Sequence, residues 1–190
     1  MESNLAYQEE PREELIDGEA TAMSPSPVWN HSRTAFNIAY IFEKYLYGKK
    51  CTAISDGTDL FLSENNVFIP DMMVVRDPDK IKWNGVHGAP DLVAEVLSPS
   101  TMRNDRGRKK DAYEKAGVRE YWIVNTSDQS VEQYLLKDGR FDLHAVYVLY
   151  PAYVLEAMSE KDRAKVAAEF RCSLFDDLVI RLEDVFYRTL

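Results

Sequence analysis

Two acidic residues stand inside apolar runs that read as strands. Asp71 follows Pro70 and opens Met72-Met73-Val74-Val75. Glu95 lies between Ala94 and Val96 in the run Asp91-Leu92-Val93-Ala94-Glu95-Val96-Leu97. A carboxylate in such surroundings is costly to bury without a partner or a metal. Just downstream comes a basic stretch, in which Arg103, Arg106, Arg108, Lys109 and Lys110 surround Asp105. Strand carboxylates followed by lysines form a constellation able to hold a hard cation.

Spacing decides which acids can meet. Residues in a strand rise about 3.3 Å each and alternate between faces. Asp91 and Glu95 share a face but stand roughly 13 Å apart along it. Ligands of one hard cation must lie within about 2.0–2.6 Å of it, so these two cannot share an ion. Asp91, after Gly88-Ala89-Pro90, suits a turn. If strands 71–75 and 91–97 pair antiparallel across the intervening loop, Asp71 meets Glu95 and Asp91 falls near Val75. On the helix that follows, Lys109, Ala112, Tyr113 and Ala116 share a stripe. Lys109 then lines up with the face that packs on the sheet, and Lys110 turns toward solvent. The competing reading is a wet helix face.

Several elements must position these residues. Asp17-Gly18 between short runs signals a hairpin, and Met23-Ser24-Pro25-Ser26-Pro27 breaks regular structure. From Val28 to about Tyr47, Val28, Ala35, Ala39, Phe42 and Leu46 recur with helical period. His31 sits in the first turn of that helix, facing partly inward. Strands are expected at 51–55, 58–62, 67–75 and 91–97, with a loop at 76–90. A helix from about Asn104 to Ala116 stops at Gly117. Strand 119–124 and a hairpin with Asp138-Gly139 at its tip follow. Residues 152–172 read as helical, with a capping pattern at Ser159, and 178–182 reads as a last strand. This order predicts an α+β domain with a mixed sheet. The expected layout is a flexible N-terminus at 1–12 and a single domain at 13–190, with a helical insertion at about 152–172.

The chain has 190 residues, 45% of them hydrophobic, enough for one sizeable core. No apolar run approaches the ~20 residues of a membrane span, and Met1-Glu2-Ser3-Asn4 does not open a signal peptide. Cys51 and Cys172 lack metal or redox spacing, which suits a cytoplasmic protein with free thiols. The net charge of −9 argues against indiscriminate duplex binding but leaves room for the local basic surface at 103–110.

The string Gly88-Ala89-Pro90-Asp91-Leu92-Val93-Ala94-Glu95-Val96-Leu97-Ser98-Pro99-Ser100-Thr101 resembles the Uma family of restriction-endonuclease-like proteins, within the PD-(D/E)XK nuclease superfamily. Further matches are Glu14-Leu15-Ile16-Asp17-Gly18-Glu19, Pro70-Asp71, Asp105-Arg106-Gly107-Arg108-Lys109 and Ala116-Gly117-Val118-Arg119-Glu120-Tyr121-Trp122. The resemblance implies a restriction-endonuclease-like mixed β-sheet flanked by helices. It implies a Mg2+- or Mn2+-dependent endonuclease acting on nucleic acid, most simply DNA, as a homodimer. Asp71 and Glu95 would be metal ligands, with Val96 adding its carbonyl. The family's usual lysine, two places after the glutamate, is replaced by Leu97. The resemblance then implies a lysine moved onto the next helix, where the stripe already selects Lys109. Glu14 would match the N-terminal glutamate and His31 would be accessory. Arg106 and Arg108 would hold the nucleic-acid backbone. Leu97 and the acidic balance keep open a non-catalytic binding or assembly module, and a smaller phosphoester is a further alternative substrate.

Overall fold

The computed structural model describes residues 12–23, 28–55 and 57–190. The N-terminus expected to be flexible falls outside these residues except for Arg12, and the break expected over 23–27 falls outside them except for Met23. In chain order the elements begin with strands β1 (Glu13–Ile16) and β2 (Glu19–Ala22) and helix α1 (Trp29–Leu46). Strands β3 (Thr52–Ser55), β4 (Leu60–Ser63), β5 (Asn66–Phe68), β6 (Met72–Val75), β7 (Ile81–Lys82), β8 (Gly85–His87) and β9 (Leu92–Val96) come next. Helices α2 (Met102–Arg106) and α3 (Arg108–Ala116) lead to β10 (Glu120–Asn125), β11 (Ser130–Lys137) and β12 (Arg140–Val148). The chain closes with α4 (Ala152–Ala157), α5 (Glu160–Arg163), β13 (Glu169–Arg171), β14 (Val179–Arg181) and α6 (Leu182–Val185).

The main sheet runs β12-β11-β10-β9-β6-β3, and a second sheet runs β2-β1-β5-β4-β8-β7. The main sheet is mixed: β9 and β10 are parallel and its other neighbours are antiparallel. The α2–α3 segment makes the crossover that parallel pairing requires. Both faces of the main sheet are covered. On one, Met72, Val74, Ala94, Val96 and Trp122 pack with α1, α6 and the β13–β14 hairpin. On the other, Met73, Val75, Val93, Leu97 and Tyr121 pack with α3 and the second sheet. The chain is therefore α+β, as the element order predicts.

Turn chemistry places the first hairpin. Asp17 and Gly18 have φ of 52° and 82°, the paired left-handed conformation that matches strand twist. Four expectations need correction. The strand expected over 67–75 is two strands in different sheets, because Pro70 interrupts it and cannot donate to a ladder. That break leaves Asp71 at the junction. The loop expected over 76–90 contains β7 and β8. The helix from 104 is split at Gly107, where a side chain would meet the Arg103 carbonyl at 2.9 Å.

The fourth correction concerns 152–172, which holds two short helices and then strand β13. Ser159 caps α5 as its pattern predicts, accepting the Asp162 N–H. Tertiary packing takes over at Phe170. It pairs with Ile180, stacks on Tyr147 at 4.5 Å and meets the edge of Trp122 at 5.0 Å.

A buried carboxylate fastens this hairpin to the sheet. Glu120 Oε1 accepts from Trp122 Nε1 and Gln133 Nε2, each at 2.6 Å. Its Oε2 accepts from the Ser173 N–H at 2.8 Å and from Ser173 Oγ at 2.5 Å. Replacing it with alanine strands these donors. Glu120→Ala is expected to cost about 3 kcal/mol or more in urea unfolding, and an unchanged midpoint would contradict this anchoring.

Candidate active site

The antiparallel pairing of β6 with β9 sets Met72 opposite Ala94, Met73 opposite Val93 and Val74 opposite Leu92. Asp71, just before β6, therefore comes level with Glu95 and Val96. Its backbone N–H points at Glu95 Oε2, 3.4 Å away, and its Oδ2 accepts the Val96 N–H at 2.7 Å. Asp91 lies at the far end, where Oδ2 accepts the Arg76 N–H at 2.9 Å. It is a strand-end carboxylate, away from the cluster.

Alternation along β9 turns Val93, Glu95 and Leu97 toward α3. Lys109, in the first turn of α3, is buried there and reaches three acids. Its Nζ lies 2.7 Å from Glu95 Oε1, 3.0 Å from Glu14 Oε1 and 3.6 Å from Asp105 Oδ1. Tyr113, one turn further along the same face, donates its hydroxyl to Glu95 Oε1 at 2.7 Å. Glu14 comes from β1 and also accepts the Ile69 N–H at 2.9 Å. His31 Nε2 stands 3.4 Å from Asp71 Oδ2. The expected residues Glu14, His31, Asp71, Glu95, Val96 and Lys109 thus converge from β1, α1, the β5–β6 junction, β9 and α3.

The charges do not balance. Glu14, Asp71, Glu95 and Asp105 share Lys109 and the His31 imidazole. Burial raises Glu95 to about 8; Lys109 opposes this, while Asp105, Asp71 and Glu14 add to it. Asp105 is also raised, first by burial. Burial would lower Lys109, but Glu95, Glu14 and Asp105 outweigh it and hold the ammonium well above its ordinary value. Burial likewise pushes the Tyr113 hydroxyl up, so it stays a donor.

Asp71, Glu95, His31 and Lys109 border a cavity of about 380 Å³, closed on one side by the Ser98–Thr101 turn. Its donors are hard oxygens, the type magnesium and manganese prefer. An additional positive charge there would relieve the acid surplus that burial imposes on Glu95. Among the described residues no three or more His, Cys, Asp or Glu side chains stand at metal-ligand spacing. A cation here would therefore rest on the two carboxylates, with backbone carbonyl and solvent oxygens completing its shell. The residues fit such an ion.

Arg106 and Arg108 each have acidic partners within the chain. Arg106 pairs with Glu132 at 2.6 Å. Arg108 pairs with Asp17 at 3.1 Å and Glu19 at 3.0 Å, and donates to the Ile16 carbonyl at 2.6 Å. They tie α2 to β11 and α3 to the first hairpin. Lys110 is half-buried, its Nζ 4.2 Å above the Tyr134 ring. Asp105 and Tyr113 are site residues that sequence reasoning missed. The Asp105–Lys109 spacing of four on one helix was the available signal.

A family model described as putative restriction endonuclease, Uma2, matches residues 2–160. The chain belongs to the Uma2 family. It is 32% identical over 141 residues to the uncharacterized protein slr1290 of Synechocystis sp., covering 72% of this chain and 74% of that one. The uncharacterized protein sll1609 of the same organism is 27% identical over 127 residues, covering 65% and 71%. A crystal structure of a putative nuclease belonging to DUF820, from Anabaena variabilis, superposes with a TM-score of 0.63 at 18% identity. It covers 93% of this chain and 90% of that one, and so shares the fold.

Glu95 sets a pH dependence for this Uma2 protein without added cation. Between the ordinary carboxylate value of 4.5 and about 8, the folded chain keeps a proton that the unfolded chain has released. This contribution to stability is full below the window and is lost as pH rises through it. In chelator, urea unfolding of the wild type should therefore lose stability between about pH 5 and about pH 8 relative to Glu95→Gln. Equal pH slopes for the two proteins would contradict the raised value.

Proposed function

We propose that the protein is a divalent-metal-dependent nuclease that hydrolyses phosphodiester bonds in nucleic acid, with DNA the expected substrate. The observation that supports this best is the convergence of Asp71, Glu95 and Lys109 on one cavity wall. Membership of a family described as restriction endonucleases supports the same class of chemistry.

Asp71 and Glu95 would hold Mg2+ or Mn2+, with the Val96 carbonyl beside them. When bound, such an ion lowers the pKa of water and stabilises charge growing on the phosphate. The other contributions come from the chain itself. The Val96 N–H orients Asp71 through Oδ2, and Tyr113 and Lys109 orient Glu95 through Oε1. Lys109 keeps its proton and so offers a fixed positive charge to an attacking oxygen or to the phosphate. Glu14 and Asp105 help hold that ammonium in place. His31 steadies Asp71 at the cavity mouth. Arg106 and Arg108 are not assigned to substrate.

Leu97 favours a second reading. It occupies the family's lysine position and is buried in the core facing α3, which suits a binding module that has lost catalysis. Cleavage assays on duplex DNA, single strands and RNA with magnesium and manganese separate the two readings. Cutting that disappears in Glu95→Ala excludes the module, and a wild type inert on all of these substrates excludes the nuclease.

Asp71→Ala and Glu95→Ala should each abolish manganese binding in calorimetry while the far-UV spectrum is kept. Unchanged affinity in both would sink the metal assignment. Lys109→Met should retain manganese binding but lose about a hundredfold or more of the cleavage rate. Full cleavage in that variant would remove Lys109 from the chemistry.

A further inference from the structure

Helix α1 has two apolar faces. Ala35, Ile38, Phe42 and Leu46 are buried against the main sheet. On the opposite side Trp29, Phe36, Tyr40 and the capping Tyr47 leave 60, 58, 58 and 85% of their surfaces in solvent. A helix turns by about 100° per residue, so positions 29, 33, 36, 40, 43 and 47 fall on one stripe. Their steps alternate between four and three, the spacing of a helix-pairing seam. A surface helix ordinarily presents charged residues opposite its core face.

The stripe has an internal symmetry. About a midpoint level with residue 38, Phe36 mirrors Tyr40, Arg33 mirrors Glu43, and Trp29 mirrors Tyr47. We propose that this face binds a second copy of the chain, with α1 lying antiparallel on its counterpart about a two-fold axis at that midpoint. In such an isologous contact each patch meets itself. Each Phe36 meets the other copy's Tyr40, each Trp29 the other Tyr47, and each Arg33 the other Glu43. A parallel arrangement would set like charges together.

The surface is ordered for this contact. Phe36 and Tyr40 stack with centroids 6.2 Å apart and planes 9° apart, forming a ridge. Arg33 is held by Nε donating to the Tyr187 carbonyl at 3.2 Å, with its guanidinium over the Phe36 ring at 5.4 Å. Its remaining N–H groups are free to point across the axis. Cavities of about 710 and about 450 Å³ flank the ridge, the relief that helix packing by ridges into grooves requires. The four aromatics alone expose roughly 500 Å² per copy, given 150–250 Å² for an aromatic side chain. With the groove walls, this approaches the roughly 800 Å² per partner of a standard interface. The smaller groove also reaches His31 and Asp71, so the second copy would wall one approach to the candidate site. The pairing does not depend on the nuclease reading.

Sedimentation equilibrium tests it. The wild type is expected to be a dimer at micromolar concentration, and Phe36→Asp a folded monomer. Arg33→Glu and Glu43→Arg should each weaken the dimer about a hundredfold or more by opposing like charges. Mixed in equal amounts, these two variants should form a heterodimer, because the charge reversed at 33 in one chain meets the charge reversed at 43 in the other, while the unchanged Glu43 of the first meets the unchanged Arg33 of the second. A monomeric wild type, a dimer indifferent to these substitutions, or two variants that fail to pair on mixing would each overturn the proposal. A monomer whose affinity for duplex DNA falls in Phe36→Asp would assign the face to substrate instead.

Discussion

The ammonium of Lys109 is the point through which the molecule's layers meet. It is buried, and its bonds run to Glu14 on β1, Glu95 on β9 and Asp105 on α2. These carboxylates belong to the second sheet, the main sheet and the crossover helices. A lone ammonium would cost several kcal/mol to desolvate, and so would each acid. Neither sheet can therefore move against α3 without exposing an unpaired charge to a low-dielectric interior. Val93, Leu97, Ala112 and Tyr113 belong to the apolar layer between the main sheet and α3.

That arrangement explains why a helix supplies the lysine. Leu97 shares the face of Glu95 but lies in the apolar layer between sheet and helix. From α3, Lys109 approaches Glu95 directly, and the Asp105 carboxylate one turn before it guides it. Gly107 makes this geometry available. It breaks the helix between Asp105 and Lys109, where any side chain would press on the Arg103 carbonyl.

The fold class was legible in the sequence, and the convergence of Asp71, Glu95 and Lys109 followed once β6 and β9 were taken to pair antiparallel, because each step rests on a local rule. Alternation put Glu95 on the face of Val93, helical period put Lys109 on the face of Tyr113, and turn residues marked two hairpins. What escaped depends on distant packing. Phe170 lies in a segment of helical composition, yet the rings of Trp122 and Tyr147 draw it into a strand. Asp105 looks like one acid in a wet basic run until the tertiary fold buries it. Arg106 and Arg108 look unpaired in the sequence until Glu132, Asp17 and Glu19 prove to be beside them. Charge on a helix can be counted from sequence, but its partners cannot.

Glu95 and Glu120 sharpen the distinction between a structural and a functional acid. Both are fully buried strand glutamates near the crossover, and their registers face opposite sides of one sheet. Glu120 sits among neutral donors: an indole, an amide, a backbone N–H and a hydroxyl occupy its two oxygens. Both of its oxygens are satisfied, and it fixes a hairpin. Glu95 is surrounded by other carboxylates, and burial raises it to about 8 despite the adjacent lysine. It borders a cavity large enough for an ion and its water. Apolar flanks in the sequence mark both residues as anomalous. Only the balance of donors and like charges around each tells a satisfied acid from one short of positive charge, and that shortage is what a cation can relieve.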